Sequence, residues 1–111
     1  MGKESLLKLA ELIRKEKMVI NGEDYYVKEL NAGEYATYTG SLYKQTGKSI
    51  KVVTKDARIT LAILALCNED LSPVFTMADF EAVSKLPGRI IEDIAQLAES
   101  LTKDEEEAEK N

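Results

Sequence analysis

The residues best placed to do chemistry are few and scattered. Thr46-Gly47-Lys48-Ser49 carries the end of a phosphate-cradling loop. That loop needs a glycine where Leu42 stands and a strand before it, and the pattern here reads as helix, with Gly47 as its C-terminal cap. Glu69 and Asp70 form an adjacent acidic pair without a third ligand or a base to work with. Glu92, Asp93, Gln96 and Glu99 share a helical spacing that suits a solvated face better than a metal site. Histidine is absent from the chain, which removes the commonest general base together with the commonest metal ligand. The single Cys67 lies inside an apolar run and reads as a small core residue in a reducing compartment. No set of side chains that could activate one another for nucleophilic or acid–base catalysis remains.

Tyrosine is the exception. Five of the seven aromatic residues are tyrosines, and Tyr25, Tyr26, Tyr35, Tyr38 and Tyr43 crowd into one stretch. A tyrosine offers a large ring and a wet hydroxyl, which suits a surface alternately exposed and covered by a partner. Tyr35 and Tyr38 are expected to seal the core with their hydroxyls at its rim. Strand alternation sends only one of Tyr25 and Tyr26 inward, leaving the other for a partner.

The elements that must position these residues are organised around Ile59-Thr60-Leu61-Ala62-Ile63-Leu64-Ala65-Leu66-Cys67. A helix through this run is apolar on nearly every side and belongs in the middle of a bundle. Arg58 before it and Glu69-Asp70 after it leave it far short of the roughly 20 apolar residues a membrane span needs. On this reading Leu64 is a core residue whose truncation to alanine costs about 2–5 kcal/mol. Thr54 or Asp56 opens the helix, which ends near Asn68. Its cover comes from amphipathic neighbours. Ser5 can cap a first helix whose Leu6, Leu9, Ala10 and Ile13 form a packing face. Asn31 and Glu34 resemble a capping box, opening a second helix to about Gln45. Thr76 to Asp79 forms another, before a short helix with Phe80, Val83 and Leu86 inward. After Pro87-Gly88 a last helix carries Ile90, Ile94, Leu97, Ala98 and Leu101 as its apolar stripe.

Met18-Val19-Ile20 and Tyr25-Tyr26-Val27, joined through Asn21-Gly22, read as a β-hairpin, because Asn-Gly supplies the positive φ of a tight turn. Residues 47–54 lack a helical period and read as a mobile connection, with a short strand as the second reading. The expected fold is therefore mainly α (α+β): a small helical bundle around a central apolar helix, with a short N-terminal hairpin at about 18–28. One domain spans 1–102, followed by a disordered acidic tail over 103–111.

With 111 residues, 44% hydrophobic and 32% charged, the composition is globular and allows one core. The net charge of −5 is uneven. Ser41 to Arg58 holds five basic residues against Asp56, whereas Glu92 to Asn111 holds eight acids against Lys103 and Lys110. Opposite-sign ends can attract other copies of the chain or a basic partner, and they suit nucleic acid phosphates poorly. The start passes into an amphipathic pattern without an apolar signal region, so the cytoplasm is expected.

Leu30-Asn31-Ala32-Gly33-Glu34-Tyr35-Ala36, Asp56-Ala57-Arg58 opening an apolar helix that ends Leu66-Cys67-Asn68-Glu69-Asp70, Pro73-Val74-Phe75 with Asp79-Phe80, and Leu86-Pro87 leading from Ile91 to Ala98 follow one another in order. Together they resemble the tail assembly chaperones of long-tailed phages and prophages, over about Val27 to Leu101. The resemblance implies a non-enzymatic protein without cofactor, acting in the host bacterial cytoplasm and lost from the finished virion. It implies coating of the tape measure protein by many copies, and recruitment of tail tube protein, with no nucleic acid, membrane or small-molecule partner. Such proteins are often made in two lengths by frameshifting, and Glu109-Lys110-Asn111 permits a slippery sequence. The candidate partner-binding residues are Tyr25, Tyr26, Tyr43, Lys48, Lys51, Glu92 and Glu99. The alternative is a small acidic adaptor or regulatory module whose tail competes for a basic partner.

Overall fold

A computed structural model describes residues 2–46, 49–52 and 56–102, and it is mainly helical with a small β component. Helix α1 (Lys3–Leu7) runs on into a 3-10 turn (Lys8–Glu11). Strands β1 (Lys15–Ile20) and β2 (Glu23–Lys28) form the expected hairpin. Asn21 at φ 53° and Gly22 at φ 79° make its two-residue turn, a conformation this dipeptide tolerates better than most. Pairing starts at Ile20 opposite Glu23, so the strands are longer than the apolar triplets alone suggest.

Helix α2 (Ala32–Ser41) begins at the anticipated capping box: Asn31 Oδ1 accepts from Glu34 N at 2.8 Å, and Glu34 Oε1 accepts from Asn31 N at 3.0 Å. The same carboxylate pairs with Lys28, whose side chain is almost wholly buried. The helix stops at Ser41 rather than near Gln45, because the chain turns into a second hairpin of β3 (Tyr43–Thr46) and β4 (Ser49–Val52). The strand reading of this stretch holds for 49–52. Thr46 thus ends a strand rather than a helix; Gly47, Lys48, residues 53–55 and the tail 103–111 lie outside the described residues.

Helix α3 (Ala57–Ala65) is the central rod, with Asp56 at its N-cap position and Ala57, Thr60, Leu61, Ala62, Ile63 and Ala65 buried. Leu64 is only half-buried, which corrects its expected place: Leu61, 1% exposed, holds the deep position on this helix. The helix ends before Asn68 because Leu66–Cys67 is strand β5, pairing antiparallel with β2 to give a sheet of order β1-β2-β5. A short apolar run does not distinguish a buried helix end from a buried strand, so periodicity alone could not show this. Cys67 then bridges Pro73 across a turn in which Asp70 Oδ1 accepts from Ser72 N at 2.9 Å and Ser72 Oγ at 2.6 Å. Those bonds hold the exposed Asp70 carboxyl below its ordinary pKa.

A 3-10 turn (Met77–Asp79) leads into α4 (Phe80–Val83), with Asp79 Oδ2 accepting from Thr76 N at 2.9 Å. Val83 is buried and Phe80 half-buried, but Leu86 is 38% exposed. Helix α5 (Gly88–Thr102) packs on α3 through Ile91, Ile94, Ala95 and Ala98. Ile94 and Ala98 were expected there. Ile91 and Ala95 join them in the core instead of Ile90, and Ile90, Leu97 and Leu101 flank it. Alanines at 62, 65, 95 and 98, all at most 2% exposed, leave room for close approach of the two helices.

The C-terminal end of α5 is tied to the base of the first hairpin. The Arg14 guanidinium donates to Leu101 O and, at 3.1 Å, to Glu29 Oε2. A cation at the last carbonyls of a helix satisfies both a hydrogen bond and the dipole. Before Ile13 the account changes. Leu6, Leu7, Leu9 and Leu12 are 66, 68, 55 and 66% exposed, and no residue of α1 or its 3-10 continuation is buried. The expected packing face is therefore absent within one protomer. Gly2, not Ser5, occupies the N-cap, and the sheet, α3 and α5 already close the core without this segment.

Candidate protein-binding surface

Alternation along β2 places Tyr25 and Val27 on the face that meets the helices, with Tyr26 and Lys28 on the other. Tyr25 is half-buried and forms one wall of an open hollow of about 420 Å³. Ile20, Val74, Phe75, Leu86 and Ile90 supply most of the remaining lining, with Asn21 and Arg89 as polar members. The groove exists because three segments with different periods converge on it: the tip of the hairpin, the extended Pro73–Phe75 stretch and the first turn of α5. An apolar trough bordered by a few polar groups suits apolar side chains presented by another polypeptide, above all a row of them on one helix face.

Tyr26 is also half-buried, on the opposite sheet face, where the Lys15 ammonium stands 5.1 Å from its ring centroid. Lys17 pairs with Asp24 at 3.2 Å on the same face. The two tyrosines therefore do diverge, as alternation requires, but the inward one lines the groove. Tyr43 is the first residue of β3, opposite Val52, and Lys51 in β4 stands opposite Lys44. Lys48 lies outside the described residues.

Glu92 and Glu99 are two turns apart on α5 and meet one cation. Arg58 Nη2 lies 2.6 Å from Glu92 Oε1, and Arg58 Nη1 lies 2.8 Å from Glu99 Oε2. Hydrogen bonds that Arg58 donates to Glu92, and then to Glu99, hold the guanidinium pKa above its ordinary value against the opposing effect of burial. Both acids thus clamp α5 to α3 within the protomer. Tyr38, packed against the core, lies near this clamp, and burial, then the Glu99 charge, push its phenol pKa up. Tyr35 is 49% exposed, against the expectation that it seals the core, with its ring 6.4 Å from that of Tyr38. Both rings line a second hollow of about 200 Å³ between α2 and α5.

The groove-lining Val74, Phe75, Leu86 and Ile90 and the exposed leucines at 6, 7, 9 and 12 were not among the candidate residues. The leucines did carry a signal: Leu7 and Leu12 fall off the predicted stripe, so the segment is apolar on more than one side. Burial raises the Cys67 thiol pKa, with Lys28 and Lys15 opposing, which makes it a poor nucleophile. Among the described residues no helix is long and apolar enough to cross a membrane.

Fold and surface together define a small α+β module that carries an open apolar groove. The chain belongs to the phage tail assembly chaperone family, whose model matches residues 4–111. The solved structure of the bacteriophage HK97 tail assembly chaperone is similar to it, with a TM-score of 0.63 over 89% of this chain and 98% of that one. At 20% identity that likeness speaks for the fold. No match was found among curated proteins.

Proposed function

We propose that the protein is a non-enzymatic chaperone of long-tailed phage assembly. It acts in the host cytoplasm, self-associates along the tape measure protein, helps to recruit tail tube protein and leaves before the virion is complete. Within a chain of this family, the observation that carries the reading is the open apolar groove walled by Tyr25, Phe75, Leu86 and Ile90. An open apolar surface of this kind lets copies of the chain associate, and a row of copies holds a long amphipathic client through many weak contacts that sum by avidity. The client is soluble while its apolar faces are covered.

The test is co-expression with the tape measure protein of the same phage or prophage. The tape measure protein should move from the insoluble to the soluble fraction and co-purify with the chaperone. Unchanged solubility would overturn the reading. Truncation after Thr102 separates this function from that of an acidic adaptor: the chaperone keeps most of its client binding, whereas an adaptor working through its tail loses it.

A further inference from the structure

The fold leaves two apolar features unsatisfied, and they are complementary in kind. One is the N-terminal helical segment, where Leu6, Leu7, Leu9 and Leu12 are each more than half exposed within a stretch of seven residues. Contiguous apolar surface of this sort on a small domain marks a contact site. The other is the groove between the hairpin tip, Val74-Phe75 and α5, about 420 Å³ in volume. None of the four leucines lines it.

Their positions along the chain show why one protomer does not satisfy itself. The helical segment ends just before β1, and the groove starts at the far end of that strand, at Ile20 and Asn21. A six-residue strand separates its first and last residues by about 17 Å, at a rise of roughly 3.3 Å per residue. Its start is also fixed: Arg14 N donates to Glu29 Oε1 at 2.9 Å, and Glu29 N donates to Arg14 O at 2.9 Å. The segment therefore leaves the domain from the end opposite the groove.

We propose that the leucine-bearing segment of one copy docks in the groove of the next. This deepens the assembly reading above and rests on its premise that copies associate. The contact joins two different surfaces, so each added copy presents a fresh segment at one end and a fresh groove at the other. Such an interface propagates into an open row or a ring. Tyr25 then serves as a wall of the self-association site, and Arg89, which also lines it, is opposite in charge to Glu4 and Glu11 on the incoming segment.

The experiment pairs two variants that each damage one half. Leu6→Asp with Leu9→Asp alters mostly exposed residues outside the core cluster, and Leu86→Asp alters a partly exposed groove residue; circular dichroism checks that both remain folded. By sedimentation equilibrium, wild type associates and each variant alone is monomeric. A mixture of the two forms a one-to-one heterodimer and goes no further, because it contains one intact segment and one intact groove per pair. Association of either variant at the wild-type level, or a mixture that stays monomeric while wild type associates, would overturn the proposal. If Leu86→Asp loses tape measure solubilisation but still self-associates, the groove holds client, and the docking proposal fails while the chaperone reading stands. If wild type itself is monomeric with and without client, both fail.

Discussion

Leu61 and Leu64 lie on the same helix, have the same composition and are three residues apart, yet they should respond very differently to truncation. Leu61 is 1% exposed and sits within the cluster formed with Val27, Val83, Ile94 and Ala98, whereas Leu64 packs only against its edge. Leu→Ala changes in well-packed cores cost about 2–5 kcal/mol, the upper part of that range applying where the cavity does not collapse. Leu61 is buried on α3, which packs against α5 and α2, and it also borders the hollow under Tyr38, so its loss should cost about 3–4 kcal/mol. For half-buried Leu64 the lost transfer energy is roughly halved and little cavity forms, giving about 1–2 kcal/mol. A domain of this size has about 5–15 kcal/mol in total, so Leu61→Ala removes a large share. Urea denaturation at low protein concentration measures the difference, with the midpoint falling much further for Leu61→Ala at unchanged slope. Equal losses, or a greater loss for Leu64→Ala, would refute the assignment of Leu61 as the deeply covered leucine of α3.

Three further outcomes follow from particular contacts. Arg58→Ala should cost about 1–3 kcal/mol, since two charge-assisted pairs to α5 are lost from a partly exposed site; a double-mutant cycle with Glu92→Gln should show positive coupling that weakens in high salt. Gly22→Ala forces a side chain into φ 79° and should destabilise by about 1 kcal/mol, with amide exchange in β1 and β2 accelerated before that in α5. Cys67, buried and with its pKa raised, holds less thiolate at any given pH than a free cysteine. Its modification by an aromatic disulfide at pH 8 should therefore follow the rate of opening of the domain and become immediate in urea; a rate matching free cysteine would place it at the surface.

The parts of this fold that were legible are those in which local chemistry and packing agree. Asn21-Gly22 demanded a left-handed turn whatever surrounded it, and Asn31 with Glu34 could satisfy two helix-end donors without outside help. The central apolar rod was equally plain, since nothing but burial suits it. Features decided by neighbours distant in sequence were not legible. Leu66–Cys67 is strand only because the edge of β2 is free beside it, and α2 stops at Ser41 because the residues after it pair with β4. Leu64 lost its place to Leu61, on the same side of the helix, because a run apolar throughout does not reveal which of its side chains the neighbouring elements cover. Candidate-site residues divided in the same way. Tyr25 was identified by type and alternation, but the groove it lines is assembled from three separated segments, and no single stretch contains its pattern. Glu92 and Glu99 looked like a free acidic face until Arg58, more than thirty residues earlier, was seen between them.

The proposed lining-up of copies along a client can be read most directly from light scattering of the purified protein at low salt, alone and bound to the tape measure protein. The expected complex has a mass that corresponds to one client carrying many chaperone copies, with concentration-dependent association of the chaperone by itself. A protein that stays monomeric at high concentration and adds no mass to the client would contradict it.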